Sequence, residues 1–487
     1  MPLYNGITLP GQPDLENVRR LDLSILPTLN RMSRVGIAVD VPYLQELSGQ
    51  FAAEMADLQK QIASYIPPFA LDRFSASAAA IEEEEGSAGI NASSAEQIRE
   101  LLFDLLGVGR NTKLKSTGGG KVSTGRKNLD LVRDQHPVVP LVIAYRERAK
   151  LRSAFCDALP AMARLHPAGP CCPLCELPHV ESTNRLHTTF TTTRAITGRL
   201  SSRKPNLQQI PIRSSLGARI RAAFVASPGT RLVSVDFSGM EFRDMVHLAN
   251  DPVLIARFNE DPFFDPHMHT AMQTFHIEDP AKVDKYLHRM PSKRTNFGIQ
   301  NGVTKKGLLS QLVGDYWAAG ISPPDWLTEE WCDRFIQQWY REHPEVAAYF
   351  AQEHYRARRY GFVWDPWGRP RYIPQVRSSL PYKVSEGLRE AQNHAITASN
   401  AEQTKLVMAE TEDTFDTFRG TGLHCEALLS IHDQIVAEVD EDYADAVGAC
   451  MVGIFEHVMD DRDTGERLWR VPIRADCEVL RRWKDKE

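Results

Sequence analysis

The chain has 487 residues, 42% hydrophobic and 25% charged, with a formal net charge of −6. That length predicts about three domains and allows a large core to form without disulfides. The composition is that of an ordinary globular enzyme; it excludes a uniformly basic nucleic-acid binder, and the lack of any run of about 18 apolar residues excludes a spanning helix.

The opening MPLYNGITLPGQPD has neither the charged n-region nor the apolar h-region of a secretory signal. A cytoplasmic location is therefore expected (the host cytoplasm if the chain is viral), with no membrane partner and with the eight cysteines mostly free thiols. From Asp14 to about Tyr65 the apolar spacing predicts helix. Ser75–Ala88 reads as a loop or a frayed helix end. In SSAEQIRELLFDLLGV, Ser94 stands as the N-cap of an amphipathic helix. Between Arg110 and Arg152 eleven basic residues face only Asp130, Asp134 and Glu147; Lys121 and Arg126 lie on its flexible STGGGKVSTGRKN loop. Such a patch is either a solvated face or a phosphate contact. Leu129–Leu159 is predicted helical, interrupted near Pro137 and Pro140.

His166–His179, HPAGPCCPLCELPH, holds His166, Cys171, Cys172, Cys175 and His179. The spacing of Cys172, Cys175 and His179 suits zinc, and a loop with free thiols is the alternative. From Leu186 the texture turns to strand and loop. RLVSVDF reads as a short buried strand ending at Asp236, Asp251–Tyr360 as helical, and ALLSIHDQIVAEVD as a hairpin turning at His432-Asp433. This order predicts an α+β fold with inserted helical subdomains.

Three elements carry chemistry. Asp236 leaves a buried strand, where a carboxylate needs solvent, a partner or a metal; Asp236 or Ser238 capping the next helix is the alternative. Asp433 sits at a turn, where turn chemistry alone accounts for Asp. Two carboxylates at strand tips also fit a two-metal phosphoryl-transfer site of the kind Mg²⁺ serves. In HRMPSKRTNFGIQNG, Arg289, Lys293, Phe297 and Asn301 recur every four residues and span a helix face about 120° wide. Pro291 predicts a helix start near His288–Met290. That end, with its cations and free N–H groups, would dock a triphosphate, and a ring one turn on would stack on a base. An ordinary basic amphipathic helix is the alternative.

Together these elements resemble the family A DNA polymerases, the group of bacterial DNA polymerase I and many phage enzymes, from about Asp14 to Glu487. VDFSGMEFR resembles the family's motif A, the Arg289–Gly298 stretch its motif B and His432-Asp433 its motif C. TGRLSSRKPNLQQIPIR, DPHMHTA, WDPWGRPRYIP and VPIRADCEV resemble further family segments. The resemblance implies a right-hand polymerase fold with an antiparallel-sheet palm, helical fingers and a helical thumb. Residues 1–185 would form an N-terminal segment and thumb with the Cys/His-rich insertion 166–179. Residues 186–252 would be the first part of the palm, 253–375 the fingers and 376–487 the second part of the palm.

It further implies two Mg²⁺ ions held by Asp236, Asp433 and the carbonyl of Phe237. Arg289, Lys293 and His267 would contact the incoming triphosphate, with Lys293 counted as catalytic. Phe297 would stack on the nucleotide, Asn301 would lie at the nucleotide site, and Glu241 would exclude a ribose 2′-hydroxyl. Arg199, Arg389, Asn393, Thr397 and His432 would meet the primer–template, as would Lys121 and Arg126 on the basic loop. Asn301 stands where the family usually has Tyr, Gln434 where it has Glu, and Gly239 and Thr397 where Gln is common; these departures imply altered fidelity or lesion tolerance. With the thumb-like sequence starting so early, no 3′–5′ exonuclease is expected, and a polymerase of this size fits a phage, a mobile element or bacterial repair. Processivity, helicase or primase partners are not identified by the sequence. Two rival readings are a single-subunit RNA polymerase, against which Glu241 argues, and an inactive primer–template binder, against which the two aspartates argue.

Overall fold

The computed structural model describes residues 3–78, 89–211 and 214–483. Strands are few and short apart from one sheet. In chain order they are β1 (Ile37–Ala38), β2 (Arg164–His166), β3 (Thr183–Leu186), β4 (Thr189–Thr191), β5 (Ser201–Arg203), β6 (Thr230–Phe237), β7 (Phe362–Trp364), β8 (Pro370–Tyr372), β9 (Cys425–Ile431), β10 (Gln434–Asp440) and β11 (Ala475–Leu480). The central sheet is antiparallel in the order β11-β6-β10-β9. A smaller sheet runs β1-β3-β2, and β4-β5 and β7-β8 are two-stranded.

The central strands are nearly continuous apolar runs because both faces are covered. Leu232, Val233, Val235, Leu428, Val436 and Val439 are fully buried. The helix Ala444–Glu456 lies on β6 and β11, and Gly448 permits the close approach: a Cβ there would meet Cys477 Sγ at 2.8 Å. The helix Pro381–Gly420 has 40 residues, about 60 Å of rise. It is buried almost continuously from Ala395 to Ala409 and packs on β9 and on the helix Met240–Ala249. The main core joins these elements to the N-terminal residues Leu3–Phe51 and to Leu151–Leu159. A separate helical core occupies residues 62–145, and a third, smaller one centres on Leu308, Leu312 and Tyr316.

Local signals set the helix ends. Asp14, Asp40 and Ser94 each accept a backbone N–H at their helix N-termini, as capping chemistry requires. Pro140 does not interrupt its helix; it falls in the first turn of Val138–Leu151, where its missing N–H costs nothing. Of the Ser75–Ala88 stretch, residues to Ala78 continue the helix Leu71–Ala78, and 79–88 lie outside the described residues, as do Ile212 and Arg213 in the segment ahead of motif A. No helix among the described residues is long and apolar enough to cross a membrane.

One buried ion pair links the small sheet to the large one. Arg185 on β3 donates to Glu438 on β10 at 3.0 Å, to the carbonyls of Val35 and Gly36 at 3.0 and 2.9 Å, and to Ser227 Oγ at 2.8 Å. Burial works against the charge on Glu438, yet Arg185 and His424 outweigh it and hold the carboxyl well below the usual range. The pair's contribution is therefore complete above that range and fades as pH falls below it. Glu438→Ala, which strands the guanidinium, should cost about 3–5 kcal/mol in urea unfolding at pH 7; a loss under about 1 kcal/mol, the worth of an exposed pair, would show that Arg185 finds another partner.

Candidate active site

The sheet delivers two carboxyl groups to one edge. The apolar run Leu232–Val235 carries the chain to Asp236 near the end of β6, and the β9–β10 turn presents Asp433. His432 in that turn has φ +58°, a left-handed conformation that two-residue hairpin turns favour. Register does the rest. Gln434, the residue after Asp433, is paired with Asp236 on one side and with Ile431 on the other. Asp236 is also opposite Asp476 on β11. Neither Asp236 nor Ser238 caps the following helix; that position belongs to Gly239, at φ +65° and without a side-chain cap.

The Asp236 and Asp433 carboxyls lie close enough to act directly on each other. Burial first, then the neighbouring Asp433 and Asp476 carboxyls, push Asp236 up to about 8. Burial also raises Asp433, whose Oδ2 accepts from Asn400 Nδ2 at 3.4 Å. Oδ1 of Asp236 is buried with no hydrogen-bond partner. Two buried acids in contact cannot both ionise without a cation. An unsatisfied carboxylate oxygen among hard oxygen donors fits Mg²⁺. The Phe237 carbonyl is adjacent in the chain, its ring packed 4.6 Å from Phe455.

A cationic wall faces this edge. The α-helix Met290–Gln300 begins where Pro291 predicts, but a π-helical stretch, Lys285–Arg289, capped by Asp284, runs directly into it. The helical backbone therefore begins at Lys285, and the Arg289 N–H is already bonded to the Asp284 carbonyl. Arg289 is not loose. Its guanidinium donates to Asp265 at 2.9 Å, and Asp265 caps the helix Pro266–Thr274 by accepting the His267 and Met268 N–H groups. Burial pushes His267 down to about 4; Asp265 opposes this, and Lys293 and Arg289 add to it. His267 is therefore a neutral ring, bonded through Nδ1 to Asn296 at 3.0 Å and tilted 5.3 Å from Phe297. A cavity of about 300 Å³ is lined by Gly239, His267, Arg289, Lys293, Phe297 and Asp476, among others. A second, of about 410 Å³, lies across Phe297 and is lined by Asn301, Gly302 and Arg389.

Glu241 closes the space between sheet and helix. It pairs with Arg199 and accepts from Gln300 Nε2 at 2.8 Å. Asn301, just past the helix end, accepts from Asn393 at 2.9 Å. Thr397 is buried one turn further along that long helix, and His432 is exposed. Gln434, opposite Asp236, donates along the strand to Ser234 Oγ at 2.8 Å. Lys121 and Arg126 are exposed on the N-terminal helical unit, paired with Glu96 and Asp130. Cys172, Cys175 and His179 come together, joined by His166. Sequence reasoning had not singled out Asp265, Gln300, Asn400 or Asp476. Asp265 and Asp476 lie inside segments whose resemblance was visible; Gln300 and Asn400 had no pattern to mark them.

Residues 41–485 match the family model described as DNA polymerase family A. The chain belongs to that family. It is 32% identical over 459 residues to the thermostable DNA polymerase I of Thermus filiformis, covering 93% of this chain and 46% of that protein. It is 32% identical over 452 residues to DNA polymerase I of Deinococcus radiodurans, covering 92% and 41%. The chain thus spans less than half the length of these relatives. Among solved structures it is similar to the POL domain of Pol1 from M. smegmatis in complex with DNA primer-template and dNTP. That match has a TM-score of 0.76 at 27% identity, over 96% of this chain and 72% of that one. The expected α+β right-hand polymerase fold is borne out.

In this family A chain, the acid pair carries a stability cost of its own. A carboxyl that holds its proton more tightly when folded destabilises the fold at every pH above the ordinary carboxylate range. Asp236→Asn should therefore stabilise the metal-free protein at pH 7 by about 1 kcal/mol, read as a higher urea midpoint. A lower midpoint would contradict the geometry described.

Proposed function

We propose that the chain is a template-directed DNA polymerase, extending a primer 3′-hydroxyl with deoxynucleoside triphosphates and releasing pyrophosphate. One observation carries the reading: a pair of interacting, buried carboxyls adjoins a cavity walled by Arg289, Lys293, His267 and Phe297. Buried acids that a divalent cation would neutralise thus stand beside a cavity with a cationic wall.

Asp236 and Asp433, with the Phe237 carbonyl, would hold two Mg²⁺. When bound, these ions activate the attacking hydroxyl and offset charge on the transferring phosphorus. The chain's own residues do the rest. Arg289 and Lys293 bind the triphosphate oxygens, and Asp265 fixes the direction of Arg289. His267, neutral, offers a hydrogen bond without a further charge. Phe297 presents its face to the base of the incoming nucleotide. Glu241, clamped by Arg199 and Gln300, occupies the space a ribose 2′-hydroxyl would need, which favours a deoxynucleotide over the RNA polymerase reading. Arg199, Arg389, Asn393, Thr397 and His432 line the approach to the primer terminus, and Asn301 the template side of Phe297.

On the same reading the thumb, with the 166–179 insertion, lies within 1–185, the palm is 186–252 with 376–487, and the fingers are 253–375. Lys121 and Arg126 face duplex phosphates, and the enzyme works in the cytoplasm.

Primer extension tests this directly. Synthesis should require Mg²⁺, and Asp433→Ala should lower it by at least about a thousandfold while primer–template binding persists. Extension without divalent metal, or an active Asp433→Ala, would overturn the proposal. Glu241→Ala should cut the preference for deoxy- over ribonucleotides by about a hundredfold; an unchanged preference would remove Glu241 from its role.

A further inference from the structure

We infer that His166, Cys172, Cys175 and His179 bind a single Zn²⁺ ion in a closed Cys₂His₂ site that folds the 167–182 loop and fastens it beside β2 and β3. One ligand atom from each residue lies within 4.8 Å of all the others, and all four side chains are buried. His166 Nδ1 is 3.5 Å from Cys172 Sγ, and Cys175 Sγ is 3.1 Å from His179 Nε2. Tetrahedral zinc with ordinary Zn–S and Zn–N bonds separates its ligand atoms by about 3.6 Å, so the four atoms already surround a space of the right size.

Beyond one core contact at Leu177 and an exposed Arg34–Glu176 pair, little else holds the loop. Between Pro167 and Ser182 only Cys172, Cys175 and His179 are buried. Of its larger apolar residues, Leu174 and Val180 are 40% and 82% exposed, and Leu177 packs half-buried against the main core. Ordering a loop costs roughly 1–2 kcal/mol per residue in backbone entropy. Two thiols and two imidazoles without a metal offer little hydrophobic gain against that, whereas zinc binding supplies folding free energy outright.

The surroundings are built for ligation. The backbone reverses tightly about Cys172: its N–H donates to the Leu177 carbonyl and its own carbonyl accepts from Glu176, both at 2.8 Å. The Leu174 N–H donates to Cys172 Sγ at 3.4 Å, a contact that favours thiolate. Gly169 and His179 exchange two backbone hydrogen bonds at 2.9 Å, closing the loop's base.

His166, the ligand outside the C-x-x-C-x-x-x-H spacing, is oriented by a chain of contacts. His187 Nδ1 lies 3.0 Å from the Ser33 carbonyl, and its Nε2 lies 3.0 Å from His166 Nε2. A carbonyl only accepts, so Nδ1 of neutral His187 carries the proton and its Nε2 accepts. His166 must then donate from Nε2, which leaves its Nδ1 lone pair aimed at Cys172 and the metal. Such an outer partner commonly fixes a metal-bound histidine. A tetrahedral set of two sulfurs and two nitrogens selects zinc, and four protein ligands make the site structural. It stands at the end of β2, next to the strand whose Arg185 reaches the central sheet.

Metal analysis of the full chain tests the site. Purified under reducing conditions and passed through a weak chelator to strip the acid pair, the wild type should retain about one zinc per chain. Asp433→Asn and Cys171→Ser should retain it equally. Cys172→Ser, Cys175→Ser and His166→Ala should lose it. Because these variants can misfold, the wild type reconstituted with Co²⁺ provides a second readout: tetrahedral d–d bands with thiolate charge transfer, displaced by Zn²⁺. Wild type that takes up neither metal, a Cys172–Cys175 disulfide in the native protein, or equal zinc loss from Cys171→Ser would overturn the assignment.

Discussion

Two carboxyl groups held in contact at the edge of a buried sheet are the constraint on which the rest depends. Their oxygens lie too close and too dry for both to ionise unaided. Nothing local produces this contact. It follows from the register that sets Gln434 against Asp236, from the left-handed turn at His432 and from the helices that bury both sheet faces. A central sheet so firmly held keeps the acids together against their mutual repulsion, a cost that a divalent cation bound there would turn into binding.

The positive half of the site is held by the same economy of contacts. Asp265 both caps its own helix and aims Arg289. Gln300, at the far end of the Arg289 helix, ties Glu241 from the other side. Under the proposed function, a chain of net charge −6 would meet a polyanion through charges that are local and fixed. Asn301 and Gln434 spend their hydrogen bonds on Asn393 and Ser234. Two of the four positions that depart from the family pattern are therefore tied into the protein itself.

Much of this was legible in the residues. The apolar run before Asp236 and the hairpin around Asp433 are local signals that the structure keeps. Pro291 lies in the first turn of its α-helix, although a π-helical stretch carries the helical backbone back to Lys285. What was not legible depends on distant pairing. Asp476 reaches Asp236 only because β11 lies beside β6. Asn400 reaches Asp433 from the middle of a helix whose burial hides any face. Pro140 looked like a break because a proline's effect depends on where the helix begins. His166 was noticed among the Cys/His residues but not as a fourth ligand, since it lies outside the loop's internal spacing and only the β2–β3 pairing brings it round.

The central claim, that Asp236 and Asp433 jointly hold the metals beside the triphosphate cavity, is tested most directly by counting ions. Electron paramagnetic resonance titration with Mn²⁺ should find two tightly held ions per chain in a complex with primer–template and a non-hydrolysable deoxynucleotide. The count should collapse in the Asp236→Asn/Asp433→Asn double variant, with the complex still assembled. Two ions retained by that variant would contradict the account.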